Sequence, residues 1–348
     1  MSDFLLYLDF IDIPKKQKIV SSMKYYDDMK LFEYDYNNFN VFLSRADDLD
    51  IWAPYQTKDK SILVALAGRI ALESDDWEKA KKLEGPGGLA CKAIYGKYLS
   101  GGVEELEKSN GNFTIIVIDA AKSVIYIIND RTGMFPCYGI LEEKKASVIG
   151  SHPDIVAMSK NMSNDLDIVS ISEFLMTGKV SIPYSYYKNL ETLDYGSVYA
   201  VSLEPGNAFT LTRKKYFEFK FNIDHGLNEW ELAEQLAIAF RKAINRRTHP
   251  QFGQAWISLS GGLDARAFLC SADDKRNISA FSFYDDENLE YKIAKQIADK
   301  AGVRLIPLKR DFDYYGDNAE MGTKIAGGMG GFENNHYLGF RNKFKNYG

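Results

Sequence analysis

Residues 258–266 read SLSGGLDAR, a serine- and glycine-rich turn directly after the apolar run AWI at 255–257. Residue types of this kind can hold a nucleotide phosphate. Glycines lack Cβ atoms, so backbone N–H groups can reach phosphate oxygens and the chain can adopt positive φ. A helix starting just after the turn would aim its dipole and unpaired N–H donors at the anion. Asp264, in that helix's first turn, could bind a Mg²⁺ that bridges the phosphates. A plain strand-to-helix turn, with glycine relieving crowding and Asp264 capping the helix, explains the same letters. No Gly-Lys-Ser follows, so the turn is not a Walker loop, and it is not a dinucleotide fingerprint.

Other chemistry-bearing residues are sparse. The four histidines (152, 225, 249 and 336) and three cysteines (91, 137 and 270) show no zinc-ligand spacing. Asp130 and Arg131 read as a structural ion pair at a strand end. The glycine-rich stretch 326–337 has two readings. It is a loop presenting Asn334, Asn335 and His336 to a substrate, or a flexible connector. Ser2, second in the chain, is a candidate nucleophile once Met1 is removed.

The elements that must position these residues fall into two rhythms. Up to about residue 205, short apolar runs predict strands at 4–10, 40–45, 61–68, 112–120, 123–130 and 197–203. Their near-continuous apolar character is that of strands covered on both faces. Helical patterns occupy 86–99 and 171–178. After residue 228 the pattern is helix, strand 255–259, helix 264–272, strand 278–283, helix 287–300 and strand 304–308. That alternation predicts a parallel sheet with crossover helices. Asn228 with Glu231 three positions on marks a helix start, and Gly302 a helix stop. The expected boundary lies at 205–228, between domains 1–210 and 225–348.

With 348 residues, two cores are affordable. Net charge is 43 − 48 = −5, with both signs mixed along the chain. This disfavours a general nucleic-acid or anionic-membrane surface. Three scattered cysteines predict a reducing compartment. No stretch has the length and apolarity of a membrane span or signal peptide. These features predict a soluble, cytoplasmic protein.

Taken in order, several segments resemble the asparagine synthetase family. Ser260-Gly261-Gly262-Leu263-Asp264 is similar to the pyrophosphate loop of ATP-pyrophosphatases. GNFTIIVID (111–119) and NDRTGMFPCYG (129–139) are similar to the family's first domain. So are ISEFLMTGKV and NLETLDYGSVYAV, within 171–201, while SFYDDENLEY (282–291) resembles its second synthetase strand and acidic turn. The resemblance implies an α/β protein. Its N-terminal αββα sandwich of antiparallel sheets would be Ntn-hydrolase-like. Its C-terminal parallel sheet would be an adenine-nucleotide α-hydrolase-like (PP-loop) domain. It implies an ATP-dependent amide ligase that adenylates a small or peptide carboxylate for attack by an amine. ATP and Mg²⁺ are the implied cofactors, and a homodimer is one implied assembly. Leu259, Ser260, Gly261, Gly262 and Asp264 would hold the pyrophosphate, Asp264 the Mg²⁺, and Phe281, Ser282 and Phe283 would lie beside the adenine.

The sequence departs from this family in four places. Glutamine-using members begin Met-Cys; here Ser2 follows Met1, and a hydroxyl is far harder to activate. The family's glutamine-binding Asn-Gly-Glu is Ala67-Gly68-Arg69, so glutamine hydrolysis is expected to be lost, as in β-lactam synthetases and lasso-peptide cyclases. Ala265 replaces a serine that would donate to phosphate. The family's later carboxylate and lysine lie past residue 348, so the chain reads as an incomplete synthetase domain. These departures leave two alternatives open: a binding or regulatory relative, or an Ntn-type hydrolase using Ser2.

Overall fold

In this computed structural model, residues 2–46, 50–206, 208–221, 226–329 and 336–345 are described. The chain divides into two units, 1–219 with 323–331 and 220–322 with 332–348.

The first unit contains twelve strands among its described residues. In chain order they are β1 (Ser2–Tyr7), β2 (Lys30–Asp35), β3 (Asn40–Arg45), β4 (Tyr55–Gln56), β5 (Ile62–Ala71) and β6 (Asn110–Asp119). They continue as β7 (Val124–Asn129), β8 (Tyr138–Glu142), β9 (Lys145–Gly150), β10 (Leu190–Thr192), β11 (Ser197–Ser202) and β12 (Leu211–Lys215). One antiparallel sheet runs β10-β8-β9-β1-β3-β2 and the other β12-β11-β7-β6-β5-β4. Strand alternation sorts the apolar side chains into layers. Phe4, Leu6, Val41, Leu43, Leu63, Ala65, Ile116 and Ile127 fill the space between the sheets. Leu5, Tyr7, Phe42 and Val148 point the other way, onto helices α1 (Ile13–Ser22) and α4 (Pro153–Ser159). Helices α2 (Ser74–Lys81) and α3 (Leu89–Leu106) pack together, and α3 lies against β5 of the second sheet. Both faces of the central strands are covered, which explains their uninterrupted apolar runs.

Helix α3 breaks at Gly101 and Gly102, whose backbone is not helical, close to its expected end at residue 99; a second short helical stretch continues to Leu106. Helix α5 (Ile168–Thr177) matches its sequence pattern closely. Six strands, β2, β4, β8, β9, β10 and β12, escaped that pattern. β2 and β12 carry mostly exposed side chains, LTRKK in the latter. Lysine and arginine on an edge strand discourage pairing with another chain and erase the apolar signature.

The second unit has β13 (Ala255–Ser258), β14 (Ile278–Tyr284) and β15 (Arg304–Lys309), paired in parallel in that order. Helices α6 (Glu229–Arg247), α7 (Leu263–Ser271) and α8 (Leu289–Ala301) supply one core with Ile257, Leu259 and Ala280. Tyr314, from α9 (Tyr314–Ala326), joins Phe281, Ile306 and Phe340 in a second core, against which Phe344 of α10 (Arg341–Lys345) packs. The start of α6 is a capping box. Asn228 accepts from the N–H groups of Trp230 and Glu231, and the Glu231 carboxylate accepts from the N–H of Asn228. No helix among the described residues is long and apolar enough to cross a membrane.

The Asp130–Arg131 ion pair expected from sequence is absent among the described residues. The fully buried Asp130 carboxylate instead accepts from the N–H groups of Phe113, Thr132, Met134 and Phe135. Arg131 turns to the carbonyl of Glu107 and the ring of Phe217. Asp130→Ala would orphan these donors, so denaturant unfolding is expected to show a loss of at least about 3 kcal/mol. A loss below about 1 kcal/mol would contradict this role.

A second carboxylate makes stability depend on pH. Asp119, at the end of β6, accepts from the Tyr98 hydroxyl at 2.6 Å and from Lys122 N–H at 3.0 Å. Burial works against its charge, but these bonds outweigh burial and hold its pKa below the ordinary carboxylate range. A depressed folded pKa stabilises above the unfolded value, about 3.9, and that contribution is lost as pH falls through the folded one. Asp119→Asn is therefore expected to be less stable than wild type at pH 7. The gap should narrow below pH ~4, as read from urea midpoints across pH.

Candidate functional site

In the first unit the candidate site lies where β1 and β3 meet β5 of the other sheet. Ser2 pairs with Arg45 across the β1–β3 ladder. The Ser2 hydroxyl accepts from the N–H of Gly68 at 2.7 Å. Arg45, 3% exposed, donates to the carbonyls of Leu66 (2.9 Å) and Gly68 (3.4 Å). Its guanidinium lies 5.5 Å from the Trp52 ring centre, and that of Arg69 lies 5.8 Å from it. Gly68 has φ +83°, and a Cβ there would fall 2.2 Å from the Asn112 carbonyl. This glycine is therefore required by the fold. Ala67 is fully buried in the inter-sheet core and presents no polar group.

Nucleophiles behind this edge are suppressed. Burial pushes the Cys91 thiol up to about 12, against the pull of Arg45. Burial, with Asp3 next in effect, pushes the Tyr25 hydroxyl far above the ordinary phenol range. His152 occupies the N-cap position of α4 and is buried.

In the second unit, parallel strands place the ends of β13, β14 and β15 on one edge of the sheet. The glycine turn leaves β13 there and enters α7. Ser260 and Asp264 are exposed, and Asp264 has no side-chain partner among the described residues. Leu259 is different: its side chain is 1% exposed in the core, and its N–H donates to the Phe281 carbonyl. The Gly262 N–H donates to the Ser260 hydroxyl at 3.1 Å. The N–H groups of Ser260, Gly261, Leu263, Asp264 and Ala265 meet no acceptor among the described residues. Arg266 folds back from α7 onto the carbonyls of Gly261 (2.9 Å) and Gly262 (3.2 Å). In a trans peptide the N–H lies opposite the C=O. Arg266 therefore turns the N–H groups of Gly262 and Leu263 away from itself.

Neither Gly261 nor Gly262 has positive φ, contrary to the sequence expectation. A Cβ on Gly261 would meet only Ile293 and Glu290 atoms at 3.7–3.8 Å, an ordinary contact. The turn enters α7 directly with extended backbone at Gly262, and no left-handed step is needed. Phe281 is buried among Phe283, Tyr337 and Phe344, and Ser282 is buried beside it. No cluster of three or more His, Cys, Asp or Glu among the described residues would hold a metal alone.

At the far side of the same edge, Arg310 follows β15 and makes two bonds to the Asp285 carboxylate, 2.8 and 3.0 Å. It also donates to the Tyr315 hydroxyl at 2.5 Å, and that hydroxyl lies 2.9 Å from His336 Nδ1. Asn334 and Asn335 lie outside the described residues. Sequence reading missed Arg45, Arg266 and Arg310. The available signal was an arginine at or just past the end of an apolar strand or glycine turn.

Comparison with known proteins bears on the first unit. Residues 90–216 match the family model of a glutamine amidotransferase domain. The first unit thus contains a glutamine amidotransferase-like domain; the matched stretch excludes Ser2 and Ala67–Arg69. Among solved structures, glutamine phosphoribosylpyrophosphate amidotransferase from B. subtilis, complexed with ADP and GMP, aligns at a TM-score of 0.40 with 8% identity. That alignment covers 88% of this chain and 65% of the other. No curated protein matches the sequence.

The unstrained surroundings of Gly261 yield a direct test. Gly261→Ala is expected to leave the unfolding free energy within about 0.5 kcal/mol of wild type, since no strain or clash opposes it. It is expected to weaken magnesium–ATP binding measured by calorimetry, because the added methyl narrows the turn beside Ser260 and Gly262. Unchanged binding would mean that no anion approaches this turn.

Proposed function

We propose that the chain is an asparagine synthetase-like, ATP-dependent amide ligase that does not draw ammonia from glutamine. The observation that carries this reading is the row of N–H groups from Ser260 to Ala265, unpartnered among the described residues except at Gly262, beside the unpartnered Asp264 side chain. Five unpaired donors at the end of a parallel strand suit an anion such as pyrophosphate. A carboxylate of Mg²⁺ affinity at their margin suits a nucleotide.

In this reading a substrate carboxylate oxygen attacks the α-phosphorus of ATP, and the bond to the β-phosphate oxygen breaks to release pyrophosphate. An amine then attacks the acyl carbon, AMP leaves with the oxygen, and one proton is lost from nitrogen. Fixed donors and a metal lower the cost of charge developing on the departing pyrophosphate. The first unit supports the loss of glutamine use. Ala67 offers no amide to a substrate, and the Gly68 N–H is already bonded to Ser2.

ATP–pyrophosphate exchange, screened with Mg²⁺ and a panel of small and peptide carboxylates, is expected to detect adenylation. Asp264→Asn should slow exchange by at least about 100-fold, a loss of several kcal/mol of transition-state stabilisation. Glutamine should release no ammonia from either wild type or Ser2→Ala. Ammonia release by wild type but not Ser2→Ala would restore the hydrolase reading. ATP binding without exchange would instead favour a binding or regulatory relative, which the missing hydroxyl at Ala265 also suits.

A further inference from the structure

The cluster at the ends of β14 and β15 starts from a bond of fixed direction. Arginine carries only donors, so the Tyr315 hydroxyl must accept from Arg310. A hydroxyl has one proton to give, and His336 Nδ1, at 2.9 Å, is the acceptor placed for it. With Tyr315 as donor, Nδ1 offers a lone pair and the ring proton sits on Nε2; this is the tautomer in which the phenolic proton also has a partner. An imidazolium would reverse this bond, crowding two cations around one hydroxyl and leaving the phenolic proton without an acceptor. Asp285 anchors the other end by gripping Arg310 through both oxygens.

The backbone on either side is pinned too. The Tyr314 hydroxyl donates to the His336 carbonyl at 2.6 Å and accepts from the Gly339 N–H at 3.2 Å. The His336 ring lies 5.8 Å from that of Phe283, near the end of β14. Two strand spacings separate the ends of β13 and β15, about 10 Å.

We infer that Asp285, Arg310 and Tyr315 hold His336 as a neutral imidazole whose Nε2–H donates to an acyl carbonyl or oxyanion oxygen. This deepens the ligase reading and rests on it. His336 would contact the substrate when the amine attacks, while Asp285, Arg310 and Tyr315 are positioning residues. A neutral donor suits that step, since it stabilises charge on oxygen without protonating the incoming amine.

The test is nitrogen-15 NMR on histidine-labelled full chain at pH 7.5, with the His336 signals assigned by their loss in His336→Ala. The proton is expected on Nε2 in wild type, with a mixture of tautomers in Tyr315→Phe. An imidazolium, a proton on Nδ1, or no change in Tyr315→Phe overturns the relay. His336→Gln, checked for an unchanged circular dichroism spectrum, should lower amide formation relative to ATP–pyrophosphate exchange by about 100-fold. An unchanged ratio overturns the donor role. If wild type shows no exchange, the ligase reading fails by itself, and the tautomer measurement still decides the relay.

Discussion

Every backbone N–H in this chain must find an acceptor or be left for solvent or a ligand. Inside sheets covered on both faces that requirement is met by the ladders, so it becomes informative only where strands end. The two units resolve it in opposite ways. At the end of β1, the Gly68 N–H is closed off by the Ser2 hydroxyl, and Arg45 takes the carbonyls of Leu66 and Gly68. At the end of β13, the donors from Ser260 to Ala265 stay unpaired except at Gly262. One edge is knitted shut and the other held open.

The glycines follow the same division. Gly68 serves the fold: its φ and its closeness to Asn112 exclude any side chain. Gly261 serves no constraint visible in its surroundings, since a methyl would fit without strain. This residue, which the fold does not require, stands at the carboxyl edge of a parallel sheet, the edge where such sheets generally bind ligands. Arg266 reinforces this by fixing both adjacent carbonyls, which removes their freedom to swing inward and cancel the donors.

Much of the architecture was legible in the sequence because burial on two faces writes itself as uninterrupted apolar runs. β5, β6 and β7 in the first unit and β13 to β15 in the second were found that way. So were the Asn228 capping box and the Gly302 stop, where one residue does a local and recognisable job. β2 and β12 were lost because edge strands trade the apolar pattern for charge. The glycine turn was found, but the conformation expected of it was not: composition shows that a side chain is missing, not which φ results. Asp130 was read as half of an ion pair because its neighbour in sequence is Arg131. In space the nearest donors are main-chain groups from Phe113 and its own loop, which no pattern of letters displays.

The arginines show why site chemistry was the hardest part to read. Arg45, Arg266 and Arg310 each stand at the end of a strand or turn, where a cation would conventionally be assigned to an anionic ligand. Each is already occupied: by carbonyls of β5, by carbonyls of the glycine turn, and by Asp285 with Tyr315. Their positive charge is therefore spent on shaping backbone and hydroxyl donors, whose directions are fixed before any ligand arrives. Fixed dipoles of this kind need not reorganise as charge develops on a bound group. At all three strand ends the arginines thus act one bond behind the groups left facing outward.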